Sequence, residues 1–275
     1  MALAVERLTI VDPVWTTLRS EAEAIAASEP ALASFVHASI LAHGRLEEAL
    51  AFHLATKLGN ADTGAMKIRD TFLSAFIADP EIGAAVRADL MAIRERDPAS
   101  RGFVQPFLFF KGFSALQAYR IAHWLWGQGR IWMALHFQSR ISEMFGADIH
   151  PAAKIGRGVF IDHATGVVIG ETAVVEDDVS MLHGVTLGGT GKERGDRHPK
   201  IRKGVMIGAG ATILGSIEVG EYSRIGAGSV VLAAVPAHCT AAGVPAKLLG
   251  CAGCDNPSHS MDQNFLAQVT SDFDI

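Results

Sequence analysis

From Asp148 to Val235 the chain repeats itself every six residues. An aliphatic residue or Met stands at Ile149, Ile155 and Ile161, then at Ile169, Val175, Met181 and Leu187, and again at Ile201, Ile207, Ile213, Val219, Ile225 and Val231. Four places after every anchor except Leu187 sits a small or β-branched residue: Ala153, Val159, Thr165, Ala173, Val179 and Val185, then Val205, Ala211, Ile217, Ser223, Ser229 and Val235. A helix cannot use this period, because 3.6 residues per turn would spread the anchors around its circumference. A β-sandwich would alternate every second residue, with turn signals roughly every 8–12 residues. A period of six belongs to a parallel β-helix, in which each hexad forms one short side of a triangular coil and the inward aliphatics stack from coil to coil. Gly156, Gly208 and Gly226 supply tight corners.

Two steps break the period. One runs from Ile161 to Ile169, directly across Asp162-His163. The other runs from Leu187 to Ile201 and carries Gly-Gly-Thr-Gly-Lys-Glu-Arg-Gly-Asp-Arg-His-Pro-Lys. Insertions in a solenoid become surface loops, and such loops often carry the site. The chemistry is therefore expected where the repeat is interrupted.

The 275 residues allow one large or two modest domains, each able to bury a core. A formal net charge of -5 leaves no basic field for nucleic acid. No run of ~18 apolar residues is present, so no membrane span is expected. The first residues, Met-Ala-Leu-Ala-Val-Glu-Arg, lack the apolar run of a signal peptide. An odd set of cysteines (Cys239, Cys251 and Cys254) then favours reduced thiols and a cytoplasmic location. Cys251-x-x-Cys254 with His259 lacks the second close pair of a zinc ribbon, so no metal is expected and the thiols read as incidental.

Residues 1–145 read as an all-helical domain. Asp12-Pro13 caps a helix, Glu29-Pro30 restarts the pattern, and Leu32, Phe35, Val36, Ile40 and Leu41 keep helical spacing up to a stop at Gly59. Asp79-Pro80 opens another helix ending near Asp97-Pro98. One long amphipathic segment is expected from Lys111 to Met144, with Trp124, Trp126 and Trp132 serving as core or subunit contacts. Residues 146–250 read as the β-helix, with an inserted loop at 188–200 and a stop enforced by Pro245. Residues 251–275 are polar and read as a flexible tail.

Ile161-Asp-His-Ala-Thr-Gly166 places His163 beside Asp162, and both can be functional only if the chain bends there. Asp148, fifteen residues before His163, is placed about one coil below it or across a neighbouring subunit. A histidine oriented by a carboxylate is a general base. In the loop, Arg197 offers a planar fork to a carboxylate. Lys192 to Arg194 reads as a solvated charge run. The Gly188–Lys192 run fails the phosphate-loop pattern at Thr186 and Glu193. Its exposed amides suit an amide-bearing chain or a thioester carbonyl.

Asp-Ile-His-Pro-Ala-Ala-Lys-Ile-Gly (148–156), Asp-His-Ala-Thr-Gly (162–166), Thr-Leu-Gly-Gly-Thr-Gly (186–191) and Gly-Asp-Arg-His-Pro-Lys-Ile (195–201) resemble the serine O-acetyltransferases. These are hexapeptide-repeat acyltransferases of bacterial cysteine synthesis. Arg96-Asp97-Pro98 and Leu116-Gln-Ala-Tyr-Arg120 extend the resemblance into the helical domain. It implies a left-handed β-helix, trimers with sites between adjacent helices, and hexamers paired through the helical domains. It implies acetyl transfer from acetyl-CoA to the hydroxyl of L-serine, with His163 as base, Asp148 orienting it, and no metal or acyl-enzyme. Asp97 and Asp162 would hold the serine ammonium, and Arg197 and His198 its carboxylate. Gly189, Ala209 and Ala227 would line the pantetheine groove. Cysteine would act as feedback inhibitor, and the terminal Ile275 would dock into O-acetylserine sulfhydrylase.

Other readings are weaker. A β-helix carbonic anhydrase needs two histidines five residues apart, which no pair among His150, His163, His183 and His198 provides. A pure scaffold does not account for His163, Asp148 and Arg197 together. An acyltransferase acting on a sugar or other small hydroxyl or amine acceptor is the nearest alternative.

Overall fold

The structure, a computed structural model, describes residues 12–191, 194–251 and 255–263. Cys254 and Ile275, singled out above, lie outside these residues. The helical region comprises α1 (Pro13–Ser28), α2 (Pro30–Val36), α3 (Leu46–Leu58), α4 (Ala65–Ala78), α5 (Pro80–Arg96), α6 (Val104–Phe109), α7 (Lys111–Gly127) and α8 (Ile131–Phe145). Asp12 caps α1 by accepting from the Trp15 amide at 3.1 Å, and Asp79 does the same for α5 through Glu81. The expected continuous segment from 32 to 59 is divided: α2 runs into a π-helical stretch at His37–Leu41, and a turn precedes α3. The expected helix from Lys111 to Met144 is divided too, because Gly129 takes φ +72° and folds α8 back on α7. Trp124 and Trp126 pack partly buried against the core, whereas Trp132 is exposed. Among the described residues no helix is long and apolar enough to cross a membrane.

The second half is a parallel β-solenoid with three faces. The first stacks Ala147–Ile149, Val167–Ile169, Thr186–Gly188, Thr212–Leu214 and Val230–Val231. The second stacks Lys154–Ile155, Val174–Val175, Lys200–Ile201 and Glu218–Val219. The third stacks Phe160–Ile161, Ser180–Met181, Met206–Ile207, Arg224–Ile225 and Thr240–Gly243, and Ala246–Gly250 closes it antiparallel. Every hexad anchor is buried except Ile155, which is half-buried beneath the helices. The two additional residues after Ile161 shift one corner: Ala164 turns inward at φ +56°, and Thr165, expected inside, is exposed.

Helices and solenoid are locked together by polar groups. Asp89 of α5, fully buried, accepts from Gln117 (2.9 Å) and Arg120 (2.7 and 3.0 Å) of α7 and from the Val159 amide of the solenoid (3.0 Å). Arg120 also donates to the Gly156 carbonyl at 2.7 Å. At the start of α7, Gly112 lies so close that a Cβ would stand 1.9 Å from the Ile161 carbonyl oxygen. Any larger residue would push α7 off the coil that carries Asp162 and His163.

The end of the chain departs from the sequence reading in two respects. The closing hairpin pairs Thr240 with Gly250 and so sets Cys239 opposite Cys251, whose sulfurs are bonded at 2.09 Å. The expectation of reduced, incidental thiols does not hold for this pair. The pairing follows from a chain reversal that cysteine spacing does not reveal. Nor is the whole of 251–275 a free tail. Ser258, on the short helix Pro257–Ser260, is fully buried, and its carbonyl accepts from the Ser180 hydroxyl at 2.9 Å. His259 meets the buried Arg96 guanidinium at 3.2 Å, not a cysteine.

Candidate active site

In every coil the residue two places after an anchor stands at a corner. After third-face anchors Ile161, Met181, Ile207 and Ile225 come His163, His183, Ala209 and Ala227; after first-face anchors Ile169 and Leu187 come Glu171 and Gly189. The two series run up different edges of the solenoid, separated by the first face.

The first edge faces the helices. A cleft of about 410 Å³ is lined there by Asp97, Gln105, Phe109, Lys111, Asp162 and His163. Asp97 is the C-cap of α5, and its carboxylate accepts from the Ala99 amide at 2.8 Å. His163 takes φ +57°, an αL conformation that turns its ring outward beside Asp162, with Nε2 3.7 Å from the carboxylate. This is the bend that the broken period requires if both residues are to serve one site. Burial holds the Asp162 carboxyl above its ordinary pKa; His163 opposes this rise, and the like charge of Asp97 adds to it. Two carboxylates converging on one cleft are a receptor for a cation. Lys111 contacts the Thr165 hydroxyl at its rim.

The second edge holds the inserted loop. Arg197 donates to Glu171 at 2.7 Å and to the Gly195 carbonyl at 3.1 Å. Thr172 fixes the returning limb, because its hydroxyl oxygen accepts from the amides of Arg197 (3.0 Å) and His198 (3.1 Å). The buried His198 ring lies over Gly170, where a Cβ would stand 2.0 Å from Nε2. Its Nδ1 accepts from the Thr172 amide at 3.2 Å. Burial, then Arg197, lowers the pKa of His198, so the ring is neutral with its proton on Nε2. Asp148 points outward from the first face, in register with Val168, and accepts from Gln138 of α8 at 2.7 Å. It acts electrostatically on His150, as do Glu171 and Arg197.

Within one chain, then, Asp97, Asp162 and His163 are brought together, and Asp148, Arg197 and His198 belong to the other side. Gly189 stands on the Arg197 edge, while Ala209 and Ala227 stand above His163. The sequence reading missed Glu171, Thr172, Gln105, Lys111 and His183. The anchor-plus-two rule marks Glu171 and His183; nothing local marks Gln105 or Lys111, which reach the cleft through helix packing.

The family profile described as "Serine acetyltransferase, N-terminal" matches residues 14–118, and "Bacterial transferase hexapeptide (six repeats)" matches residues 198–233. The serine acetyltransferase of Salmonella typhimurium is 58% identical over 252 residues, 92% of each chain. The serine acetyltransferase of Brucella abortus, solved in complex with coenzyme A, has a TM-score of 0.87 and 55% identity, covering 89% of this chain and 98% of that one. A serine acetyltransferase solved in complex with cysteine has a TM-score of 0.90 and 54% identity, covering 92% and 98%. With identity of this order across helices and solenoid alike, the chain belongs to the serine acetyltransferase family.

Proposed function

We infer that the chain transfers the acetyl group of acetyl-CoA to the hydroxyl of L-serine, giving O-acetyl-L-serine and CoA. The observation that carries this reading is the convergence of Asp97 and Asp162 on the cleft that holds His163. The two carboxylates receive the serine ammonium. Arg197 and the Nε2–H of the neutral His198 receive its carboxylate. The hydroxyl between them then faces His163, which takes its proton as the oxygen attacks the thioester carbonyl. Gly189 offers a backbone amide to that carbonyl, and Ala209 and Ala227, with short side chains, leave backbone groups open to the pantetheine arm.

Because the ammonium half and the carboxylate half occupy different edges of one solenoid, the complete site forms between adjacent solenoids of a trimer. Asp148 meets His163 across that boundary. The helical region 1–145 pairs trimers, and residues 146–250 carry the chemistry. Cysteine, bearing the same ammonium and carboxylate as serine, fits the same pocket and inhibits by competition; the relative solved with cysteine supports this. The family resemblance extends the reading to docking of Ile275 into O-acetylserine sulfhydrylase and to a cytoplasmic location.

The test is an acceptor screen. Purified protein is given acetyl-CoA with serine, threonine, homoserine and simple sugars, and free thiol is followed. Serine should release thiol at least tenfold faster than the others. Faster release with a sugar would transfer the assignment to another acyltransferase class.

A further inference from the structure

Glu171 and Thr172 follow one another at the edge that holds the inserted loop, and their side chains grip different parts of it. Glu171 takes the Arg197 guanidinium, whereas Thr172 takes the backbone and the His198 ring. A hydroxyl has two lone pairs and one hydrogen. Both lone pairs of Thr172 Oγ1 are used, because the Arg197 and His198 amides donate to it at 3.0 and 3.1 Å. The hydrogen is then left for His198 Nδ1, 2.9 Å away. The remaining acceptor near this hydroxyl, the Asp196 carboxylate, is taken by Lys200 and Ser216. The Thr172 amide donates to the same Nδ1 at 3.2 Å. With two donors aimed at it, Nδ1 has no room for a proton of its own, and the imidazole N–H sits on Nε2. Nε2 itself has no hydrogen-bond partner among the described residues.

We propose that Thr172 is a positioning residue that sets the acceptor specificity of this edge: its hydroxyl holds His198 as a donor at Nε2, so the edge takes a carboxylate and refuses a carboxamide. This rests on the functional reading above, in which Arg197 and His198 receive the acid end of serine. A carboxylate offers an acceptor oxygen to each of them, one to the guanidinium and one to the N–H. A carboxamide has a single oxygen, and whichever way it turns, its NH₂ meets a donor. Two donors set against each other are both left unpaired, and polar sites discriminate most sharply on that ground. An imidazole free to move its proton to Nδ1 would present a lone pair at Nε2 and accept from the NH₂. Thr172 blocks this exchange, because a proton on Nδ1 would face the Thr172 amide hydrogen directly. Glu171 therefore fixes the plane of the Arg197 fork, and Thr172 fixes which face of hydrogen bonding the neighbouring ring presents.

Kinetics with serine and serinamide test the proposal, since the two share the ammonium and hydroxyl and differ only at the acid end. The unmodified protein should favour serine by about a hundredfold or more in kcat/KM. Thr172→Val keeps the shape and removes the hydroxyl. It should lower kcat/KM for serine by about tenfold, the worth of one good hydrogen bond, almost wholly through KM. With serinamide its kcat/KM should stay within about twofold of the parent. Thr172→Ser restores the hydroxyl and should return the preference. A loss of the same size on both substrates means that Thr172 only braces the loop, and it overturns the proposal, as does an unchanged serine KM. If the valine variant folds poorly, solid-state ¹⁵N NMR of histidine-labelled unmodified protein decides, with His198→Asn assigning the signals. Nε2 of His198 should carry the proton at neutral pH, and a proton on Nδ1 overturns the lock. That measurement uses no substrate, so it is independent of the acceptor assignment, which fails separately if the unmodified protein releases no thiol with serine.

Discussion

The Arg197 guanidinium donates to the Glu171 carboxylate at 2.7 Å, joining the inserted loop to the coil beneath it. That hydrogen bond, against opposing burial, holds the Glu171 carboxyl below its ordinary pKa, so Glu171 meets the guanidinium as a carboxylate at neutral pH. Both side chains remain about a third exposed, at 30% and 39%, and water screens such a pair until it contributes little to stability. Its use is geometric, since Glu171 takes one edge of the fork and fixes the plane of the other. Arg197→Lys, which replaces the fork with a point charge, should raise serine KM by about ten- to a hundredfold and leave acetyl-CoA KM nearly unchanged. Steady-state kinetics with each substrate varied in turn decides this. An unchanged serine KM would reduce Arg197 to a structural partner of Glu171.

His163→Ala should lower kcat by about 10²–10⁴-fold, the usual worth of a positioned general base. Coenzyme A binding, measured by calorimetry, should be retained, because the ring contributes to proton transfer more than to holding the coenzyme. Asp148→Asn should be milder, since in the proposed mechanism the carboxylate acts only through the histidine. A His163→Ala enzyme with near-normal kcat would remove His163 from the mechanism.

The solenoid was legible because each face of each coil demands one inward side chain, and that demand is written directly as Ile, Val, Leu or Met every six residues. Burial of twelve of the thirteen anchors is the direct consequence. His163 and Arg197 were legible for the opposite reason: they sit where the demand is suspended. Asp97 carried no such mark. It is the C-cap of a helix, and only the packing of α5 on the solenoid, through Asp89, Arg120 and Arg96, brings it to the cleft. Resemblance supplied it where periodicity could not. The division of the site between two edges was equally hidden, because a linear repeat shows which residues occupy corners and not which corner each occupies until the faces are counted. The Cys239–Cys251 bond and the docking of Ser258 depend on a hairpin reversal and on a groove beside α5. Neither has a local signature.

Asp89 and Arg120 form a buried ion pair at 2.7 Å, with side chains 0% and 7% exposed. Burial raises the Asp89 pKa, and Arg120, Gln117 and the Val159 amide oppose that rise. Removing one member leaves the other without its partner in a dry junction, which costs about 3–5 kcal/mol. Asp89→Ala should therefore lose roughly that much in urea titration. The double variant Asp89→Ala/Arg120→Met should recover a substantial part, since no buried charge is then left over. A single variant within about 1 kcal/mol of the parent would show that Arg120, held by the Gly156 carbonyl, does not depend on Asp89 for its place in the junction.

His53 on α3 is buried against Phe35 and Phe107, and its Nε2 has no hydrogen-bond partner. Burial first, then the nearby Lys57 charge, pulls its pKa down to about 4 from an ordinary 6.5. The folded state thus resists a proton that the unfolded chain accepts. The stability this neutral ring protects is fully present above pH 6.5 and is lost as pH falls toward 4, because the unfolded state binds more protons across that window. At about 1.4 kcal/mol per pH unit the loss amounts to roughly 3 kcal/mol. His53→Leu fills similar space with no titrating group and should flatten this acid limb while leaving the neutral-pH fold intact. Unfolding free energies of both proteins from pH 4 to pH 7 provide the measurement. Curves that stay parallel over the whole range would show that His53 does not set the acid sensitivity of the helical region.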